Sequence, residues 1–221
     1  AVFVWYELRS THPLLHVRLF FENKRFARSS YAALLNYAAV YAVTYMVSLY
    51  LQSVGQLNAA EAGMIMLFQP LIQVVATPVA GKISDKVDAK YLVTGGMILT
   101  IVGLLFLSGL GLSMTNVAGY IMITQVFIAL GAALFSAPNT STIMGSVAPA
   151  EYSMASSVVS VVRQAGMLIS MAICMAAVSV FVGGTDMLGP DMYAEFVEAL
   201  RVSMLISAGI AVAGVFFSWF R

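Results

Sequence analysis

Charge is scarce in this chain, so each charged or strongly polar residue inside an apolar run is a candidate for chemistry. Arg163 stands out first. It lies about ten residues past Ser153, roughly 15 Å along a helix, deep in apolar sequence. A guanidinium placed there is costly unless it meets a partner or a wet cavity. Two readings stay open. Arg163 contacts an anionic ligand group or a distant acid, or it is a structural group bonded to carbonyls or to Gln164, Gln125 or Asn139. A second constellation is Tyr37, Tyr41, Thr44, Ser48 and Gln52. Steps of three and four put these on one helix face, and Asn36 and Tyr45 flank it. A lipid-facing helix rarely holds such a stripe, so the face meets protein or water. Aromatic groups suit flat, lipophilic or cationic molecules; interhelical hydrogen bonding is the other reading.

Other signals carry no chemistry. His12 and His16 are four apart, but Pro13 breaks the helix and no carboxylate cluster completes a metal site. No Asp or Glu lies deep in an apolar run, and no G-x-S-x-G, H-E-x-x-H or phosphate-cradling G-x-x-x-x-G-K is present. A membrane enzyme or an ATP-driven pump would need such groups. No metal or cofactor is expected. The lone Cys174 excludes an internal disulfide and reads as packing. The sequon Asn139-Thr140-Ser141 falls at the expected cytoplasmic end of a span.

These residues need a scaffold, and composition names it. Of 221 residues, 61% are hydrophobic and 10% charged, whereas a soluble domain carries about a quarter charged. The runs 31–60, 62–81 and 91–150 contain no Asp, Glu, Lys or Arg. A bilayer core of about 30 Å needs roughly 20 apolar residues as a helix. The expected fold is therefore all-α: a polytopic membrane protein with a six-transmembrane-helix bundle, spanning about 29–52, 60–80, 91–112, 117–138, 154–180 and 197–220. A β-barrel would alternate with period two, and these runs do not. Residues 1–28 read as the end of a preceding span plus a basic loop, and 29–221 as the bundle. The basic segment "PLLHVRLFFENKRFAR" reads either as a surface helix on the membrane or as an ordinary loop.

Lys and Arg set the orientation. Arg9, Arg18, Lys24, Arg25 and Arg28 precede the first span, Lys82, Lys86 and Lys90 follow the second, and Arg221 ends the chain. The turns between carry no basic residue or are acidic, so the basic turns and the C-terminus are expected in the cytoplasm of a plasma-membrane protein. Tyr50, Tyr120 and Tyr193 are expected at outer interfaces, and Tyr91, Tyr152 and Trp219 at inner ones. Dispersed basic residues give no nucleic-acid signal.

The turn "PVAGKISDKVDAKYLV" packs Lys82, Asp85, Lys86, Asp88 and Lys90 into nine residues. Gly81 is expected to end one helix tightly, and Asp85 or Asp88 to face the positive N-terminus of the next. The spacing Gly81-x-x-x-Asp85-x-x-x-x-Lys90, with Lys86, resembles the loop signature of the major facilitator superfamily, although Asp88 and Ala89 replace its usual glycine and basic residue. "ALLNYAAVYAVTYMVSLYLQ" and "PNTSTIMGSVAPAEYSMASSVVSVVRQAGMLISMAI" resemble the second half of fourteen-span drug:proton antiporters.

That resemblance implies two inverted three-helix repeats, with the first span lining a central cavity. It implies a loop at Gly81, Asp85, Lys86 and Lys90 that latches and releases during transport. It casts Arg163, Gln164, Gln125, Asn36, Tyr37, Tyr41, Thr44 and Tyr45 as the substrate pathway, and residues 1–6 as the tail of the preceding span. The implied partners are lipid, the N-terminal half, a small lipophilic or cationic substrate, and protons. The alternative is a six-span scaffold or sensor that pairs with itself and transports nothing.

Overall fold

The computed structural model describes residues 23–112, 114, 116–183 and 189–220. Among them the secondary structure is helical throughout, and six segments are long and apolar enough to cross a membrane. The chain is a multi-pass membrane protein. The helices are α1 (Lys24–Ser53), α2 (Ala59–Met66), α3 (Phe68–Ser84), α4 (Ala89–Ser108), α5 (Val117–Met144), α6 (Tyr152–Phe181) and α7 (Tyr193–Trp219). Short 3₁₀ turns at Pro149–Glu151 and Pro190–Met192 lead into α6 and α7.

Asn and Asp set most of the starts. Asn23 accepts from the Phe26 amide at 3.0 Å, Asp88 from Lys90 at 2.9 Å, and Asn116 from Gly119 at 3.0 Å. Asn58 and Glu61 form a reciprocal capping box at 2.9 and 3.0 Å. Each cap satisfies an amide that the first turn leaves without a helical partner. These caps fix boundaries that apolarity alone blurs: α1 starts at Lys24, so the stretch 24–28 is helical rather than loop. At its far end α7 takes in the acidic Glu195 and Glu198.

The second span is two helices. α2 stops at Met66 and α3 restarts at Phe68, around Leu67. Pro70 lies in the first turn of α3, where a missing N–H is tolerated. Pro78 lies inside α3, and one residue earlier the Thr77 hydroxyl donates to the Gln73 carbonyl at 2.6 Å.

Packing follows the small residues. α4 and α5 cross at Gly96 and Gly131: a Cβ on Gly96 would stand 2.7 Å from the Gly131 carbonyl oxygen, and one on Gly131 would meet Gly96 O at the same distance. Gly103 lets Ile128 close onto α4 in the same seam. Between α1 and α6, a Cβ on Gly166 would lie 2.7 Å from Leu34 O, and the Ala42 amide donates to Ser170 Oγ at 2.9 Å. Without a hydrophobic drive in lipid, such close approach is what holds helices together. Gly166 and Ser170 thus sit at a close helix contact, whereas Gly95 faces open space.

The helix neighbours repeat after three spans. The first span packs on the fifth as the second packs on the fourth, and the sixth packs on the first as the third packs on the fourth. Exchanging spans one to three with four to six maps this pattern onto itself, as in an inverted-repeat half-bundle.

One end of the bundle gathers the basic residues. Arg28 donates to the Phe220 carbonyl, Asn23 to Ser146 O at 2.5 Å, and Lys90 Nζ sits 4.2 Å from the Trp219 ring centroid. Lys24, Arg25, Arg28, Lys82, Lys86 and Lys90 therefore share an end. At the other end the Tyr50 hydroxyl donates to Gly111 O at 2.6 Å and Gln56 donates to the Tyr193 hydroxyl at 2.9 Å. Tyr50 is fully buried, so it fastens the α4–α5 loop and is not the lipid-interface anchor expected from its position.

Candidate functional site

α1 turns its polar stripe inward onto open space. Asn36, Tyr37, Tyr41, Thr44, Tyr45 and Ser48 line a cavity of about 630 Å³. Its other walls come from Met66 of α2, Gln69 and Gln73 of α3, Ala132 of α5, and Met167 and Met171 of α6. The tyrosines are presented to the space: Tyr41 is 49% exposed and Tyr45 37%. A second cavity of about 330 Å³ opens at the break between α2 and α3. It shares Thr44, Met66, Gln69 and Gln73 with the first and is closed by Gln125 from α5.

The site is polar without charge. No Asp, Glu, Lys, Arg or His is among the described residues lining either cavity. Asn36 and Gln125 are buried, at 5% and 4% exposure, and Asn36 Oδ1 and Gln125 Oε1 have no hydrogen-bond partner among the described residues. Buried carboxamide oxygens are normally paired. Aromatic faces, methionines and free amide groups together suit a flat organic molecule with a few polar atoms.

The sequence-derived candidates divide. Asn36, Tyr37, Tyr41, Thr44 and Tyr45 come together in one cavity, and Gln125 in the adjoining one. Arg163 and Gln164 line neither; both are exposed on the face of α6 that no helix of this bundle covers. The expected bonding of Arg163 to Gln164, Gln125 or Asn139 is not seen among the described residues, and Asn139 donates instead to Ser29 O at 3.2 Å. Gly166, three residues on, is where α6 presses onto α1, while Arg163 itself is exposed. Arg163 sits one turn before Met167, which does line the cavity, so it stands beside the rim. Burial of Asn139 also removes the sequon from glycosylation.

In the basic turn, Gly81 does not end a helix. α3 runs on to Ser84, and a Cβ at Gly81 would meet nothing within 4 Å. Asp88 carries the cap, Asp85 closes α3, and Lys86 is exposed. Lys90, in the first turn of α4, lies over Trp219. Sequence reasoning missed Gln69 and Gln73 as site residues. Their spacing of four, on one face beside Pro70, was the available signal.

Six apolar spans, with two adjoining cavities opening between them, define a multi-pass membrane protein. The match to the Major Facilitator Superfamily extends over residues 30–221, and the chain belongs to that family of membrane transporters. It is similar to the riboflavin transporter RibZ of Clostridioides difficile, at 30% identity over 65% of this chain and 31% of that protein. It is similar to the multidrug resistance protein Stp of Mycobacterium tuberculosis, at 24% identity over 84% of this chain and 34% of that protein. With the lincomycin resistance protein LmrB of Listeria monocytogenes it shares 21% identity over 98% of this chain and 44% of that protein. The chain thus spans less than half the length of these curated relatives.

Proposed function

We propose that this chain is the C-terminal half of a fourteen-span secondary transporter that exports drugs or other toxic compounds by proton-coupled alternating access. The observation that carries the reading is the 630 Å³ cavity walled by aromatic, methionine and carboxamide side chains at mid-bundle. The names of the multidrug and lincomycin resistance relatives agree with a role in handling drugs. The second and fifth spans, the least buried of the six, are the faces on which the N-terminal half would close. Arg163, exposed at mid-span beside the cavity rim, would then meet an acid or a substrate group from that half. The described acidic residues, Glu61, Asp85, Asp88, Glu151, Asp191, Glu195 and Glu198, all sit at or near span ends. The coupling carboxylate therefore belongs to the N-terminal half. The basic end faces the cytoplasm of the plasma membrane by the positive-inside rule, and the turn at Gly81, Asp85, Lys86 and Lys90 acts as its gating latch.

The test is dye efflux by the full-length gene product in inverted vesicles, energised by a proton gradient. Ethidium should move only while the gradient stands, and Arg163→Ala should abolish movement at normal expression while Arg163→Lys retains part of it. Transport indifferent to the gradient refutes the coupling. A protein that pairs only with copies of itself and moves nothing refutes the transporter.

A further inference from the structure

Three carboxamides meet where the second span breaks, and a fourth lines the adjoining cavity. Gln69 and Gln73 stand one turn apart on α3, Gln125 faces them from α5 in the 330 Å³ cavity, and Asn36 joins Gln69 and Gln73 in the 630 Å³ cavity. Among the described residues none of these four side chains has a hydrogen-bond partner, and two of them are more than nine-tenths buried. Gln56, at the end of the bundle, shows the ordinary outcome: its amide donates to Ser53 O at 2.5 Å and to Tyr193 at 2.9 Å. Polar groups left open in an apolar setting are expensive unless a ligand or water completes them.

We propose that this bend carries a carboxamide subsite that selects planar, uncharged heteroaromatic molecules with a donor beside an acceptor, as on a lactam or imide edge. The inference rests on the transporter reading and names its substrate class. A carboxamide presents an acceptor and a donor side by side, the arrangement by which Gln and Asn read the edge of a base in two hydrogen bonds. Gln125 Oε1 takes the ligand N–H, and Gln69 or Gln73 completes the edge. Tyr37, Tyr41 and Tyr45 supply flat faces for the rest of the ring system. No carboxylate is among the described residues lining either cavity, so there only the tyrosine faces favour a cation over a neutral ring.

The experiment uses the full-length gene product in nanodiscs, with lumichrome and its 1,3-dimethyl derivative, in which both ring N–H donors are blocked. Equilibrium binding is read by fluorescence, and efflux of ethidium by the wild type is measured in parallel. Wild type should bind lumichrome about tenfold more tightly than the methylated compound, the scale of one buried hydrogen bond. Gln125→Leu should bring the ratio to about one by weakening lumichrome alone. Gln73→Leu, at a half-exposed position, should lower the ratio too and guards against misfolding of the buried variant. Equal binding of the two compounds by wild type, with ethidium still exported, shows a hydrated polar cavity and removes the subsite while the transporter stands. A ratio preserved in both variants removes it as well. A folded wild-type protein that binds neither compound and exports no ethidium sinks the transporter and the subsite together.

Discussion

The α4–α5 seam and the bend between α2 and α3 treat apolar helices in opposite ways. At the seam, Gly96, Gly103 and Gly131 remove side chains so that backbones touch, and the hydroxyl of Thr100 bonds to Gly96 O at 3.1 Å within its own helix. At the bend, Pro70 and the αR residue Leu67 interrupt the rod, and the polar groups of Gln69 and Gln73 stay open. Some 44% of the most apolar stretch of α4 is buried inside the bundle, against 11% for the second span. The contrast separates what holds the unit together from what meets a substrate: mechanical integrity lives in glycines, and chemistry lives where packing was given up.

The sharpest way to break this division is to load the seam. Gly131→Ala would drive a Cβ into the Thr100 hydroxyl and into the backbone at Gly96 O and Thr100 N, and the backbone atoms have nowhere to move. We expect a loss of about 1–3 kcal/mol, as overpacking gives, read as a lower unfolding midpoint of purified protein. Gly95→Ala, one residue from Gly96 but facing open space, should leave the midpoint unchanged or slightly raised. Equal effects from the two substitutions would mean that the seam is not what fastens α4 to α5.

The complementary test empties the cavity wall. Tyr41 is half exposed, so Tyr41→Ala removes little packing and should change stability by less than about 0.5 kcal/mol. Dye efflux should nevertheless fall about tenfold, the scale of one lost aromatic contact at a binding surface. A large drop in stability with transport per folded molecule intact would reverse the assignment of roles.

A smaller effect is expected at the end of the bundle opposite the basic turn. Tyr50→Phe keeps the buried ring and deletes only the bond from its hydroxyl to Gly111 O. The cost should be about 1 kcal/mol, with transport unchanged at low temperature. A midpoint equal to wild type would show that water serves Gly111 equally well.

The six spans were legible because uncharged runs of 20 residues or more have few other uses, and the stripe from Asn36 to Ser48 was legible because steps of three and four survive into a real helix. Chain ends of the spans were not, since Asn23, Asn58, Asp88 and Asn116 decide them through single hydrogen bonds that hydropathy cannot register. Gly81 misled because a glycine before a charged turn looks like a stop, yet its φ is unremarkable and α3 runs past it. Arg163 misled in its partners because which side of α6 is covered depends on how α6 seats against α1, which the sequence does not print. Arg201 escaped notice for a similar local reason: it lies three residues from Glu198 and forms a 3.9 Å exposed pair with it, an arrangement worth little.

The finest distinction concerns the basic turn. Lys90 Nζ lies over Trp219, while the Lys90 amide is held by Asp88, and the Tyr91 and Trp219 rings meet edge to face with centroids 6.1 Å apart. The turn is thus fastened to the end of α7 by one cation and two rings rather than by an ion pair. Trp219 is 46% exposed, so the cation–π contact should contribute only about 0.5–1 kcal/mol. A double-mutant cycle of Lys90→Gln and Trp219→Leu should return a coupling of that size, little affected by salt because no counter-charge is involved. If the turn is a latch that opens during transport, both single variants should also shift the balance of states and alter efflux at unchanged expression. A coupling of zero would leave the Asp88 cap and the Tyr91–Trp219 ring contact as the restraints, and the lysines of the basic turn would then set orientation and nothing more.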